Sequence, residues 1–153
     1  MAGLLIVAAK AGNLDECRRV HAERAHTPNP LRAEDYICAL NSAAERGHLG
    51  VCRWLHATAG GAIPDTHASD ALLWAAARGH LGVCRWLCAT FALTPADARA
   101  CNNLALHVAA FKGHLGVCQW FHDTFGITIA EWEGFSIAGK LKPHVAAWIA
   151  SLE

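Results

Sequence analysis

Apolar residues recur along this chain in blocks with one internal spacing. The segment Gly47–Leu55 reads GHLGVCRWL, Gly79–Leu87 reads the same, and Gly113–Phe121 reads GHLGVCQWF. Within the first block, Val51, Cys52 and Leu55 follow Leu49 at offsets of two, three and six residues, which lines one face of a helix. Leu81, Val83, Cys84 and Leu87 repeat the stripe, as do Leu115, Val117, Cys118 and Phe121, while Arg53, Arg85 and Gln119 fall on the polar side. Before each glycine stands an Ala- and Leu-rich stretch: LLIVAAKAG, CALNSAAERG, DALLWAAARG and LALHVAAFKG. These compositions favour helix. The Ala pairs (Ala8-Ala9, Ala43-Ala44, Ala75-Ala76, Ala109-Ala110) are small where a neighbouring helix must approach. Each block therefore predicts a helix, a glycine that ends it in a left-handed conformation, and a second helix.

Gly12, Gly47, Gly79 and Gly113 are separated by 35, 32 and 34 residues. The first copy is degenerate, AGNLDECRRV, yet keeps Gly12, Leu14 and Cys17. Self-similarity at this period predicts an all-α solenoid, because one such unit cannot bury its apolar face alone. The chain divides into units 2–34, 35–66, 67–101 and 102–130, within a single domain 1–153. A last helix is expected over 141–153. Pro143 opens it, and Val145, Trp148, Ile149 and Leu152 follow at i, i+3, i+4, i+7. It is expected to cover the apolar face of the fourth unit. Capping at both ends points to a whole unit, whereas MAG leading straight into a helix points to a stretch of a longer array.

Two helices joined by AAxxGHLxVCxWL at this period resemble the ankyrin repeat, over residues 2 to 130. Arrays with CRWL in the second helix are similar to divergent ones from large DNA viruses and some protists. The sequence departs from the family pattern in two places. The Thr-Pro-Leu-His block is reduced to Leu106-His107, and the Asp-and-Gly signature of the connecting hairpin is missing. In its place Thr94, Pro95 and Asp97 supply a cap, a proline for the first turn and a carboxylate beside it. Thr128 and Glu131 repeat that spacing. The connectors are thus expected to carry reduced hairpins or short helices, with GGAIPDTHASD a looser version.

Composition narrows the function. Apolar residues make up 54% of the chain, and thirteen basic residues balance thirteen acidic ones. No basic block gives electrostatic grounds for a nucleic acid or membrane surface. No apolar run reaches the roughly 18–20 residues of a membrane span. MAGLLIVAAKAG superficially resembles a signal peptide but lacks a basic leader, and the repeat accounts for it. Seven cysteines are an odd number, several in one repeated helical position. They read as reduced core thiols of an intracellular protein, cytoplasmic or nuclear.

Chemical sites find little support. His48–Cys52, His80–Cys84 and His114–Cys118 are i, i+4 pairs, a spacing zinc can use. Two ligands are too few for structural zinc, and repeats stacked about 10 Å apart keep the pairs separate. The cysteine is read as core and the histidine as capping and bracing the turn between units. Trp54, Trp86 and Trp120 share one position and are read as packing between helices, with Trp74 also core. Cys88 lies outside the repeated cysteine position and is a candidate exposed thiol, but it has no nameable base. With no Gly-rich phosphate loop and no Gly-x-Ser-x-Gly, neither catalysis nor a cofactor is expected. The family resemblance implies a monomeric protein-interaction module whose partner sits on the concave face. Contacts would come from the connector tips and from the two residues before each glycine: Lys10-Ala11, Glu45-Arg46, Ala77-Arg78 and Phe111-Lys112. Of these, Lys10, Glu45, Arg46, Arg78, Phe111 and Lys112 are the candidate contacts, with Phe111 foremost. They vary between units whose framework is constant. The alternatives are a structural or self-associating stretch of a longer array and, third, a metal-binding protein.

Overall fold

The computed structural model describes residues 3–128, Glu131 and 141–152, with the side chains of residues 100–102 set aside. Ten α-helices and no strand occur among the described residues. In chain order they are α1 (Gly3–Lys10), α2 (Leu14–Ala25), α3 (Ala33–Arg46), α4 (Leu49–Ala59), α5 (Ala68–Ala77), α6 (Leu81–Thr90), α7 (Pro95–Ala98), α8 (Ala100–Lys112), α9 (Leu115–Phe125) and α10 (Pro143–Ala150). None of them is long and apolar enough to cross a membrane.

Helices pack in two layers. The first helices α1, α3, α5 and α8 touch in that order, the second helices α2, α4, α6, α9 and α10 touch in theirs, and each unit's pair closes the stack. A column of leucines, seven residues before each glycine, runs through the first layer: Leu5, Leu40, Leu72 and Leu106, all buried. Leu55, Leu87 and Phe121 form the matching column behind. Each such side chain stabilises by about 1.5–3 kcal/mol through burial alone. The predicted stripe is thus the seam between layers. Cys17, Cys52, Cys84 and Cys118 are wholly buried within it, and burial pushes the last three thiols up to about 12.

The four glycines do two things. Each is left-handed, with φ of +72°, +78°, +78° and +85° at Gly12, Gly47, Gly79 and Gly113. The amides at and after the glycine donate to the two Ala-pair carbonyls, as from Gly79 to Ala76 at 3.1 Å and from His80 to Ala75 at 2.9 Å. These bonds satisfy helix-end carbonyls that would otherwise lack donors. The glycines also leave room. A Cβ on Gly79 would lie 2.6 Å from His114 Nδ1, and one on Gly47 would lie 2.6 Å from His80 Nδ1. Each histidine ring lies against the glycine of the preceding unit. From there Nε2–H donates to a carbonyl: His48 to Lys10 at 3.2 Å, His80 to Glu45 at 3.0 Å, His114 to Ala77 at 3.2 Å. The histidine therefore braces the units, but its side chain does not cap its own helix. In the degenerate first copy Asn13 stands in its place and caps α2 through Oδ1 and the Glu16 amide.

The connectors differ from one another. Thr94 caps α7, with the Asp97 amide donating to Thr94 Oγ1 and the Thr94 amide to Asp97 Oδ2. The Asp65–His67 connector makes a single 3-10 turn. Thr128 and Glu131 exchange the same pair of bonds as Thr94 and Asp97. Residues 129–130 and 132–134 of that connector lie outside the described residues, as do residues 1–2 and 153. Arg99 ties this end of the stack, donating from Nε to Glu131 at 2.6 Å and from Nη2 to the Phe125 carbonyl. Helix α10 joins the second-helix row against α9, with Val145 buried. It reads as a fifth second helix: Trp148 meets His122 at 5.8 Å just as Trp54 meets His21.

Candidate interaction surface

The inner first helices α3 and α5 have a first helix on either side, the outer α1 and α8 on one, and each is backed by its own second helix, so among the described residues one face stays open. In α5 that face carries Asp70, Trp74 and Arg78, an i, i+4, i+8 series. The equivalent series are Cys38, Ser42 and Arg46 in α3, and Leu104, Val108 and Lys112 in α8. Val7 and Ala11 hold the matching places in and just after α1. Three rows therefore cross the stack, at one, five and nine residues before the glycines.

The candidate contacts fall on and beside the row nearest the glycines. Lys10, Arg46, Arg78, Phe111 and Lys112 are exposed, and Glu45 is half-buried. Arg78 Nη2 donates to Glu45 Oε1 at 2.5 Å, joining two of them across the repeat boundary. That bond holds the Glu45 carboxyl below the usual carboxylate range. Lys112 Nζ sits 6.0 Å from the centroid of the Phe111 ring, at the reach of a cation–π contact. The brace described above grips the backbone of this row, since the carbonyls of Lys10, Glu45 and Ala77 are the ones the histidines hold. Side chains here are displayed from a fixed backbone.

Trp74 corrects the sequence reading. It is not core: 46% of it is exposed, slightly more than Phe111 at 44%. Its indole separates two hollows. One, of about 540 Å³, is lined by Trp74, Ala77, Arg78, Val108, Lys112 and His114. The other, of about 270 Å³, is lined by Cys38, Asn41, Ser42, Glu45 and Trp74. Periodicity placed Trp74 beside buried Leu72 but could not say that no helix faces it. The signal was nonetheless in the sequence. Five residues before the glycines the chain reads Val7, Ser42, Trp74 and Val108, as varied as the rows already chosen.

Trp54 and Trp86 pack between helices as expected. Trp54 meets His21 of α2 edge-on at 5.8 Å and Trp86 meets His56 of α4 at 6.1 Å, whereas Trp120 is buried beside Phe125 of its own helix at 5.4 Å. The position of His21, His56 and His122 is taken in the third unit by Cys88. That thiol is half-buried, and burial pushes it up to about 12, so it is not the exposed cysteine. Among the described cysteines the exposed one is Cys38, on the open face of α3. His107, the remnant of Leu-His, is half-buried in α8, and burial lowers its pKa. Among the described residues no three His, Cys, Asp or Glu side chains group as metal ligands do.

A family model described as ankyrin repeats (3 copies) matches residues 5–92 and again 40–131. No curated protein matches the chain.

Proposed function

The chain belongs to the ankyrin-repeat family, and from that premise we propose that it binds a protein partner across the open face of its first helices. Ankyrin repeats are generally non-enzymatic modules of protein interaction. The finer reading rests on one observation. Among the described residues the exposed large apolar side chains are Leu4 and Val7 in α1, Trp74 in α5, and Leu104 and Phe111 in α8. Every one of them stands on a first helix. The second-helix layer, whose sequence repeats almost letter for letter in α4, α6 and α9, buries or half-buries its large apolar residues. Clustered exposed apolar surface, varied between otherwise constant units, is what a binding face needs and what a scaffold does not. The six residues Lys10, Glu45, Arg46, Arg78, Phe111 and Lys112 are the contacts of this reading, with Trp74 added. The buried thiols suit a reducing intracellular compartment, and the working unit is taken as the monomer.

The test compares two sets of substitutions in the same chain. Replacing Arg46, Arg78, Phe111 and Lys112 by alanine is expected to weaken a captured partner by at least about tenfold, with Phe111 the largest single loss. Replacing Arg53, Arg85 and Gln119 on the second helices is expected to leave it unchanged. Titration of the partner against both proteins measures this. Loss of binding with the second set alone would remove the first-helix face from consideration.

A further inference from the structure

We infer that the hollow between α5 and α8 receives an acidic peptide segment bearing a large apolar side chain. This rests on the first-helix reading above and specifies the chemistry of the occupant.

The charge distribution carries the inference. Across the chain acidic and basic residues balance. At the glycine ends of the first helices they do not: Lys10, Arg46, Arg78 and Lys112 face a single carboxylate, Glu45. Arg78 already holds Glu45, and among the described residues no salt bridge reaches Lys10, Arg46 or Lys112. The opposite ends of the same layer are net acidic: Glu34 and Asp35 in the first turn of α3, Asp70 in that of α5 and Asp97 in α7 outnumber Arg32 and Arg99. Charges of this sense suit the helix dipoles, which explains their presence but leaves the basic row unmatched. An incoming chain is thereby steered to the glycine side of the open face and repelled from the connector side.

Shape supplies the second requirement. The 540 Å³ hollow has an aromatic wall in Trp74, an aliphatic floor in Ala77 and Val108, and two cations, Arg78 and Lys112, at its edge. A peptide that seats a leucine or an aromatic ring against Trp74 brings its neighbouring carboxylates to those cations. Arg78 commits Nη2 to Glu45 and is still 57% exposed, so its remaining donors can meet a second carboxylate. A nucleic-acid strand fits less well. Its phosphates would run from the basic row toward Glu45 and Asp70, and four cations give a short track for a polyanion.

The experiment pans a random dodecapeptide display library against the folded chain, then titrates the most enriched peptide by fluorescence anisotropy. Enriched sequences are expected to carry net negative charge together with aromatic or branched aliphatic residues, and to bind more weakly as salt rises. Both W74A and R78E/K112E should weaken the peptide by about tenfold or more, while R53E/R85E changes it by less than about twofold. Panning R78E/K112E should enrich basic peptides instead. Circular dichroism confirms that each variant keeps the helix signal. Arg78 and Lys112 are exposed, so the charge test stands even if W74A does not fold. Neutral or basic peptides that still depend on Trp74 would overturn the acidic occupant and leave the first-helix reading intact. Binding lost in R53E/R85E alone would overturn both. A library that yields no enriched peptide overturns the peptide occupant. So does a single-stranded 20-nucleotide oligomer that displaces the peptide at equal concentration.

Discussion

The two layers of this molecule treat the same residue types in opposite ways. In the second-helix layer, Val-Cys-x-Trp with Leu or Phe recurs in three units, and its Val, Cys and Leu or Phe are buried at every copy. The second helices touch from unit to unit, so these buried side chains lie in a seam that neighbouring units share. In the first-helix layer the Leu column and the Ala pairs are equally constant, but the residues between them run Val7, Ser42, Trp74 and Val108 without pattern. At the buried positions the repeat is constant where units pack together, although the exposed Gly50 and Gly82, and Arg53 and Arg85, are constant too. Variation marks a face that no other described helix covers.

The largest expected effect breaks the buried half. Leu87→Ala removes a fully buried side chain from the second-helix column and is expected to cost about 2–5 kcal/mol in chemical denaturation. Trp74→Ala removes a larger side chain from the open face and is expected to cost less than about 1 kcal/mol. Equal losses would mean that Trp74 packs as core does. The next effect separates backbone strain from the space the brace needs. Gly79 and Gly60 are both left-handed, at φ +78° and +55°, but only Gly79 has a histidine against it. Gly60→Ala is expected to cost about 1 kcal/mol from the backbone alone. Gly79→Ala should cost about 2–4 kcal/mol, since it must also displace the His114 ring. Thermal melts of the two variants measure the difference. Similar melting points would show that the ring moves aside freely.

The smallest effect sharpens the contrast between the two ends of the first helices. At the glycine end, units are joined by imidazole-to-carbonyl bonds. At the connector end they are joined by Arg99 and Glu131. The guanidinium, with help from the Thr128 amide, holds the Glu131 carboxyl down to about 2 against an ordinary 4.5. A carboxylate depressed on folding contributes stability above its unfolded pKa, and loses it as pH falls from about 4.5 toward 2. The pair is partly exposed, so its share at neutral pH is at most about 1 kcal/mol. E131Q is expected to lower the urea midpoint slightly at pH 7 and to flatten the acid limb between pH 5 and 2. An acid limb identical to that of the wild type would assign the loss to other carboxylates.

Local chemistry is what the sequence by itself determined. Helix propensity, the glycine stops and the stripe spacing marked where the first helices stop and which positions of the repeated second helices are core. The Thr94–Pro95–Asp97 cap foretold α7, because a cap is made by residues three apart on one chain. What only the tertiary structure decided lies between residues some 30 apart. Arg78 finds Glu45, each histidine finds the carbonyl of the unit before it, and Cys88 takes a place that histidine fills in other units. Trp74 is the plainest case. Periodicity reports which face of a helix a residue occupies, but a face is core only where another element covers it. For Trp74 that depends on α3 and α8 standing to either side, with the described helices leaving its indole in the open between them.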